Sequence, residues 1–301
     1  MGEISRRSFL LATTGLVVAP PRIAKDAASD LGFLVLGDWG REGSVDQRKV
    51  AAQLGKTAEA IDARFVVSTG DNFYSKGVKS VDDTHWTRSF EDVYNASPLM
   101  IPWYVTLGNH DYLGNVNAQV DYSKLSSRWR SPANYYKHTE LLADGSRADF
   151  FHLDTNTIIA ASASSASTPI RQLVWLEREL RTSTAAWKIV VGHHPVYAGG
   201  KHGNTEALIA LLKPLFDRFG VQVYLNGHDH DLEHVIVSRT HYLTSGAGSK
   251  PKPAEGIDGT QFVMGDRLGF MIGRVAPSAM DVEFIDDQGA SLYRARVPRV
   301  S

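Results

Sequence analysis

The sequence predicts an α/β fold: a four-layer αββα sandwich in which two mixed sheets pack face to face and helices cover both outer surfaces. Three observations support this fold class. Short apolar runs alternate with helical patterns through much of the chain, which indicates strand-helix-strand units with largely parallel pairing. Several runs are followed closely by glycine and a polar residue, as in loops at the carboxyl ends of strands. The chain after Val235 is rich in strand patterns.

Strands and helices are predicted in a regular order. A continuous apolar run predicts a buried strand at residues 31–36, and apolar residues at helical spacing predict a helix at 45–61. Similar apolar runs predict four further strands at residues 64–68, 103–107, 187–191 and 221–225. Two more helices are predicted at residues 171–181 and 205–219. The late strands are predicted at residues 262–264, 269–275 and 280–285.

Length and composition favour one domain over residues 30–301. The chain of 301 residues is 43% hydrophobic, which is enough for a sizeable core, and no repeat or long linker divides it. A small, polar stretch at residues 160–168 is predicted to be a surface loop and not a domain boundary. The formal charge of -1 gives no overall field to attract nucleic acid, so no nucleic-acid partner is expected.

Residues 1–28 have the features of an export signal. Arg6 and Arg7 precede an apolar stretch at residues 11–19 that is too short to span a bilayer. This pattern resembles a twin-arginine signal peptide. It implies the twin-arginine export machinery as a partner, a periplasmic or secreted location, and no stable membrane anchor. The alternative, a disordered basic tail, explains the arginines but not the apolar stretch.

Seven side chains with metal-binding chemistry lie in five short motifs, each near the end of a predicted strand. The motifs are Gly-Asp-Trp-Gly, Gly-Asp-Asn-Phe-Tyr, Gly-Asn-His-Asp, Gly-His-His-Pro and Gly-His-Asp-His. Their candidate ligands are Asp38, Asp71, Tyr74, Asn109, His193, His228 and His230. Such oxygen and nitrogen donors suit iron, zinc or manganese, and they suit copper(I) poorly. The chain has no cysteine, which excludes thiolate zinc sites, iron-sulfur clusters and disulfides.

The five motifs, in this order, resemble those of the metallophosphoesterase superfamily, and in particular the small, mammalian-type purple acid phosphatases. Two positions favour this branch. Gly40 stands where most of the superfamily has a histidine, and Tyr74 stands where the purple enzymes have their iron-binding tyrosine. The Leu-Asp-Thr of residues 153–155 and the Ser-Gly-Ala-Gly of residues 245–248 also match.

The resemblance implies the calcineurin-like fold and a dinuclear metal centre. To an iron(III) site it assigns Asp38, Tyr74 and His230. To a divalent site, which would hold zinc, iron or manganese, it assigns Asn109, His193 and His228. Asp71 would bridge the two ions.

Two adjacent cations suit the hydrolysis of phosphate esters. They bind a phosphate oxygen, offset the charge that builds at phosphorus, and make a bound water acidic enough to supply hydroxide. A trivalent ion acidifies water more than zinc alone does, so an acidic optimum is expected. The sequence therefore predicts an acid phosphatase that acts on small phosphate monoesters.

His110 and His202 are the candidate catalytic residues that protonate the leaving group. His110 adjoins the ligand Asn109, and His202 lies nine residues after His193, the separation that the family shows for its second substrate histidine. An imidazolium could both hold phosphate and donate a proton. Asp111 is expected to orient His110.

Other residues near the motifs are expected to be structural. Alternation along an extended loop predicts that the side chain of His194 points away from the ligands, although a supporting role stays open. Asp229 is expected to face away from the ions and brace its loop, and Trp39 and Phe73 are expected to pack in the loop walls. Ordinary surface or core roles are expected for the histidines His85, His138, His152, His234 and His241.

Three alternatives to an acid phosphatase remain open. A phosphodiesterase or nucleotidase of the same superfamily would use the same metal core, but Tyr74 and Gly40 argue against it. A metal- or phosphate-binding protein without catalysis would not need His110 and His202. Redox chemistry at iron is a third reading, expected as a side activity unless the divalent site also holds iron.

Overall fold

The computed structural model describes residues 30–162 and 168–299. The predicted export signal lies outside the described residues, and so does the middle of the predicted loop at residues 160–168. The ends of that loop belong to helices, because residues 160–162 continue one helix and Thr168 begins the next. Within the described ranges, no helix combines the length and the apolar character needed to cross a membrane.

Residues 30–162 and 168–299 contain fourteen strands, numbered in chain order. They are β1 (Leu31–Leu36), β2 (Phe65–Ser68), β3 (Trp103–Val105), β4 (Trp129–Arg130), β5 (Tyr136–Leu141), β6 (Arg147–His152), β7 (Trp187–Val191), β8 (Val223–Asn226), β9 (Leu232–Val237), β10 (Thr240–Ser245), β11 (Thr260–Met264), β12 (Gly269–Val275), β13 (Ala279–Asp286) and β14 (Ser291–Pro298). The α-helices are α1 (Val45–Ile61), α2 (Thr84–Trp86), α3 (Val116–Tyr122), α4 (Thr155–Ser162), α5 (Thr168–Thr182) and α6 (Glu206–Phe219). A π-turn (Thr87–Glu91) extends α2, and short 3-10 turns occupy Ser97–Leu99 and Asp111–Leu113.

The strands form two mixed sheets of seven strands each. The first has the order β14-β13-β12-β1-β2-β3-β4, and the second has the order β11-β9-β10-β8-β7-β6-β5. Pairing is parallel from β1 through β4 and among β6, β7, β8 and β10. The remaining pairs are antiparallel. The predicted fold class is therefore confirmed, but the expectation of largely parallel pairing holds only for the central strands.

Three apolar layers hold the sandwich together. Between the sheets, the Phe33 ring stacks on Phe65 at a centroid distance of 5.1 Å and meets the edge of Phe150 at 5.4 Å. On the outer face of the first sheet, α1 and the segment around Phe90 cover a second core. On the outer face of the second sheet, α4, α5 and α6 cover a third core. Helix, sheet, sheet and helix thus form the four predicted layers.

The predicted elements differ from the observed ones mainly where polar residues interrupt the pattern. The strands at 31–36, 187–191 and 269–275 and the helix at 45–61 have the predicted bounds. The apolar pattern does not indicate β5, because it is a sheet-edge strand in which exposed side chains alternate with buried or half-buried ones, most of them polar. Nor does it indicate β9, because the buried part of this strand carries Glu233 and His234.

Both sheets bring the loops after their parallel strands to one end of the sandwich. The backbone N–H of Asp38, after β1, donates to the Gly70 carbonyl after β2 at 3.0 Å. The N–H of Gly227, after β8, donates to the His193 carbonyl after β7 at 3.1 Å. These hydrogen bonds join loops within each sheet. The two sheets are joined where the His228 N–H donates to Asp38 Oδ2 at 2.9 Å.

Candidate metal centre

The structure brings all seven predicted ligands together at this end of the sandwich. They form two groups of donor atoms with Asp71 between them. No other part of the described chain gathers three or more potential metal-binding His, Asp or Glu side chains as closely. The metal-binding role of each residue stays a prediction, because it rests on this geometry and on the resemblance.

The first group surrounds the Tyr74 hydroxyl. Its oxygen lies 2.8 Å from Asp38 Oδ1, 2.9 Å from Asp71 Oδ2 and 3.1 Å from His230 Nε2. The other ring nitrogen of His230 lies 2.7 Å from the Lys250 carbonyl, to which it donates. His230 Nε2 therefore presents a lone pair, and three acceptors compete for one hydroxyl proton. A bound cation in contact with a phenolate would satisfy all four groups.

The second group surrounds His193 Nε2. This atom lies 3.0 Å from Asn109 Oδ1, 3.2 Å from His228 Nδ1 and 3.4 Å from Asp71 Oδ1. His193 Nδ1 lies 2.9 Å from the Thr69 carbonyl and donates to it, so Nε2 again presents a lone pair. Such a backbone contact orients a metal-binding imidazole and fixes its tautomer. Asn109 Oδ1, Asp71 Oδ1 and the lone pair of His193 Nε2 are acceptors that face one another, and with His228 Nδ1 they fit a shared cation.

Asp71 is the one candidate ligand that belongs to both groups. Its Oδ2 faces the Tyr74 hydroxyl, and its Oδ1 faces His193 Nε2. Oδ1 also accepts the His110 backbone N–H at 2.8 Å. This carboxylate lies where a bridge between two ions is expected.

Burial shifts the protonation of the site in the direction that favours cations. Burial, and next the charge of Asp71, raise the pKa of Asp38 well above its usual value. Burial, followed by the charges of Asp38 and Asp71, raises the pKa of Tyr74. Burial also lowers the pKa of His193 and lowers that of His230 to about 3, so both rings are neutral near neutral pH. Neutral imidazoles offer a lone pair to a cation directly, and the crowded buried acids bind a cation in exchange for their protons.

The backbone is strained at the ligands themselves. Asp38, Asp71 and His228 have φ angles of 59°, 52° and 71°, in the left-handed region that non-glycine residues rarely adopt. The glycines of the motifs serve mainly to let neighbouring loops and ligand side chains pack directly against the backbone. A Cβ on Gly108 would lie 2.2 Å from the Asp71 backbone nitrogen and 2.2 Å from Asp71 Oδ1. The sequence indicates that glycines shape the loops, but it carries no sign of strain at the ligands.

Gly40 has no room for any side chain. A Cβ at this position would lie 1.7 Å from the Asn72 carbonyl oxygen. The Tyr74 N–H donates to the Gly40 carbonyl at 2.7 Å, which holds the two loops together. A histidine at position 40 would therefore clash with the loop that carries Tyr74, unless that loop followed a different course. This contact explains in physical terms why Gly40 and Tyr74 occur together in this chain.

The two candidate catalytic histidines lie against different donor groups. The His110 ring is 4.5 Å from the Tyr74 ring, and the His202 ring is 4.1 Å from the His228 ring, between centroids. His110 Nδ1 lies 2.7 Å from the Ser75 carbonyl, to which it donates, and His110 Nε2 lies 4.0 Å from Asp71 Oδ2. Both rings are at least partly exposed, so a substrate can reach them.

The expectation that Asp111 orients His110 is wrong. The Ser75 carbonyl does this instead. Asp111 is completely buried and accepts hydrogen bonds from the backbone N–H groups of Gly108, Asn72 and Phe73 and from the Gln119 side chain. It therefore fastens the loop of Asp71 and Tyr74 to the loop of Asn109. This supporting role could be inferred only from the folded geometry.

The expectation that His194 points away from the ligands is also wrong. Its ring lies 4.4 Å from the His228 ring, between centroids. The Thr155 hydroxyl lies 2.9 Å from His194 Nδ1 and also accepts the His194 backbone N–H at 3.2 Å. The loop turns at this point, so simple alternation fails. Thr155 of the Leu-Asp-Thr motif thus holds His194 in place next to His228.

The expectation for Trp39 and Phe73 is confirmed. Both are buried and meet edge to face at 5.8 Å in the aromatic core under the loops. The carboxylate of Asp229 is expected to brace its own loop, but it accepts the His202 backbone N–H at 2.9 Å and so braces the loop that carries His202. Among the histidines expected to be structural, His138 pairs with His152 and His234 pairs with His241.

Comparisons with known proteins agree with this geometry. The sequence profile of the calcineurin-like phosphoesterases matches residues 31–232. Purple acid phosphatase 4 of Arabidopsis thaliana is 38% identical, and the match covers 98% of this chain and 94% of that protein. Tartrate-resistant acid phosphatase type 5 of Homo sapiens is 34% identical, with 93% of this chain and 94% of that protein covered.

Solved structures show the same architecture. GAP50, described as the anchor in the inner membrane complex of Plasmodium, superposes with a TM-score of 0.82 at 25% identity, and the match covers 91% of this chain and 90% of that one. This likeness supports the fold, whereas the sequence relatives identify the branch. With the profile match and these relatives, the chain belongs to the calcineurin-like phosphoesterases and, within them, to the purple acid phosphatases.

Proposed function

We propose that this protein is an exported acid phosphatase that hydrolyses small phosphate monoesters at a dinuclear centre of iron(III) and a divalent metal. The observation that carries the proposal is the position of Asp71, whose two oxygens face two separate groups of donors. The sequence relatives support the reaction, since they are named purple acid phosphatase and tartrate-resistant acid phosphatase.

The two donor groups differ in chemistry, so each suits a different metal ion. Asp38 and Tyr74 supply a carboxylate and a phenolate, which stabilise a hard trivalent ion, and His230 completes this group. Asn109, His193 and His228 supply an amide and two imidazoles, which suit zinc, iron(II) or manganese(II). When bound, two such ions offset the negative charge that develops at phosphorus and make a water molecule more acidic.

The protein's own residues hold the substrate and move a proton. His110 and His202, as imidazolium ions, would bind phosphate oxygens from two sides of the donor set. The departing alkoxide needs a proton on the side away from the attacking oxygen. The His202 ring makes no hydrogen bond within the described residues and is exposed, so it is free to give that proton. Asp229 and Ser75 keep the two histidines in place through His202 N–H and His110 Nδ1.

The proposed function is tested by assaying the metal-loaded protein on paired substrates. Phenyl phosphate and bis(4-nitrophenyl) phosphate separate a monoesterase from a diesterase, and elemental analysis of the same sample counts the metals. We expect two metals per chain, one of them iron, and hydrolysis of the monoester with an acidic optimum. Preference for the diester would favour the phosphodiesterase reading. Full metal content without turnover would favour a binding protein, and GAP50, an anchor with the same fold, is a reason to test for that outcome.

Export is tested by changing the twin arginines. The pair Arg6 and Arg7 precedes an apolar stretch, as in signals read by the twin-arginine machinery. That machinery passes folded proteins, so metals could be loaded before transport. We expect Arg6→Lys with Arg7→Lys to keep the protein and its activity inside the cytoplasmic membrane. Substitution of Arg22 by lysine, which lies beyond the apolar stretch, serves as the control. Unchanged export of the double variant would rule out this route.

A further inference from the structure

Arg41 packs on the face of the Tyr74 ring and has no role in the mechanism proposed above. Its guanidinium carbon lies 3.5 Å from the centroid of that ring. A guanidinium at this distance is attracted to the electron-rich face of an aromatic ring. Because Tyr74 is a candidate ligand of the iron(III) site, this contact places a positive charge directly against a donor to the metal.

Two hydrogen bonds hold Arg41 in this position. Arg41 Nε donates to Ser249 Oγ at 2.9 Å, and Ser249 Oγ in turn donates to the Asp38 backbone carbonyl. The backbone N–H of Arg41 donates to Gln47 Oε1 at 3.0 Å. Ser249 and Gln47 are both buried. The guanidinium is therefore linked both to the loop of Asp38 and to the ring of Tyr74.

No carboxylate forms an ion pair with Arg41 in the part of the chain that the structure describes. By contrast, Arg128, which lies over the Phe90 ring at 4.4 Å, is paired with Glu91. Arg41 is also half-buried, so water screens its charge less than that of an exposed arginine. Its charge therefore acts on the Tyr74 ring.

We propose that Arg41 acts through Tyr74: its charge, held over the ring, makes the phenolate a weaker electron donor to iron(III). The inference rests on the proposed iron(III) site. A positive charge over the ring stabilises the filled orbitals of the phenolate, from which electron density moves to the metal. An ion that receives less electron density is a stronger Lewis acid, which is the property that hydrolysis of phosphate esters uses. Arg41 is thus a positioning residue of the candidate metal centre.

Two properties of the iron-loaded protein report this effect. Because the phenolate orbitals are stabilised, charge transfer to iron(III) needs more energy, and the visible band lies at a shorter wavelength than it would without Arg41. Because the phenolate donates less, iron(III) is less stabilised relative to iron(II), and the reduction potential of the iron is higher. Removing the charge of Arg41 should reverse both effects.

A simpler explanation is that Arg41 only holds the loops of Asp38 and Tyr74 in place through its bond to Ser249. Arg41→Lys distinguishes the two explanations, because lysine keeps a positive charge but lacks the Nε–H group that bonds Ser249. A purely structural role predicts that Arg41→Lys behaves like the uncharged variants. The charge effect predicts that it lies between those variants and the wild type.

Visible spectra and reduction potentials of the iron-loaded protein test the inference, with iron content measured on the same samples. Arg41→Gln and Arg41→Met remove the charge, and methionine keeps more of the apolar packing on the ring. In both, we expect the band to move to longer wavelength. We also expect the equilibrium between the oxidation states to shift about tenfold toward iron(III), which is a fall of about 59 mV in the potential. Arg41→Lys should show smaller changes in the same direction.

Arg239→Gln is the matched control. Arg239 is exposed on the turn between β9 and β10, at the opposite end of β10 from the metal centre. Like Arg41, it forms no ion pair with the residues that the structure describes. Its replacement should change neither the band nor the potential.

An unchanged band and potential in both uncharged variants would overturn the inference. Equal shifts in Arg41→Lys and Arg41→Gln, or loss of iron from all three variants, would also overturn it, because a structural role predicts these results. A colourless, oxidised, iron-loaded wild type would instead overturn the proposed iron(III) site, and the inference with it.

Discussion

Asp71→Asn is expected to abolish phosphatase activity and to release one or both metals. Asparagine keeps the shape of the side chain but removes the negative charge that both donor groups share. It also presents an N–H group to one side, toward either the Tyr74 hydroxyl or His193 Nε2. Because charge stabilisation by two cations contributes several kcal/mol to the reaction, we expect kcat/KM to fall by about 10³-fold or more.

The control for this variant is another buried aspartate. Asp149 lies on β6, is almost completely buried, and accepts hydrogen bonds from Thr139 Oγ1 and Ser183 Oγ, both at 2.6 Å. Asp149→Asn should keep the metals and most of the activity. Elemental analysis and kcat/KM on phenyl phosphate, measured on both folded variants, decide the matter. An Asp71→Asn protein with full metal content and a near-normal rate would show that Asp71 is not the bridge.

Loss of the proton donor is expected to have the next largest effect. A general acid contributes on the order of 10²- to 10⁴-fold when the leaving group is poor, and far less when the leaving group is an activated phenol. We expect His202→Ala to show the steeper dependence on the pKa of the leaving group, because the His202 ring is exposed and has no hydrogen-bond partner among the residues that the structure describes. His110→Ala should mainly weaken phosphate binding, since Ser75 fixes that ring beside Tyr74.

The measurement is kcat/KM for a series of aryl and alkyl phosphates in wild type and both variants. His152→Ala is a useful control for loss of a buried histidine outside the donor set, where the ring bonds Thr106 and His138. The assignment predicts different slopes for the two candidate residues. Losses of equal size that do not vary with the leaving group would mean that both histidines only bind phosphate.

Much of the fold could be predicted, because in many elements the local pattern of apolar residues matches the side chains that are buried. The strand β1 is an unbroken apolar run and is buried along its whole length, and α1 has a capping serine, Ser44, that accepts the Gln47 N–H. In an edge strand such as β5, every second side chain faces solvent, and β9 contains buried polar residues. Their position depends on neighbours distant in sequence, so local pattern could not identify them.

The site could be predicted as a set of residue types but not as a geometry. Each candidate ligand follows a strand, and strands that are parallel in one sheet deliver their loops to the same end. The contacts that arrange the ligands come from elsewhere. Asp111 joins the loop of Asp71 to the loop of Asn109, and the Thr155 hydroxyl contacts the His194 ring. Neither contact leaves a periodic or compositional signal, so both expectations that depended on them were wrong.

The central claim is that Tyr74 binds iron(III) beside Asp38 and His230, and the visible spectrum tests it most directly. A phenolate bound to iron(III) transfers charge to the metal when it absorbs visible light, whereas zinc or iron(II) in that position gives no such band. The oxidised, iron-loaded wild type should therefore be coloured. Tyr74→Phe removes the phenolate oxygen and keeps the ring on which Arg41 packs, so the protein should fold and bind iron without colour. A colourless oxidised wild type, or a Tyr74→Phe protein that keeps the band, would contradict the account.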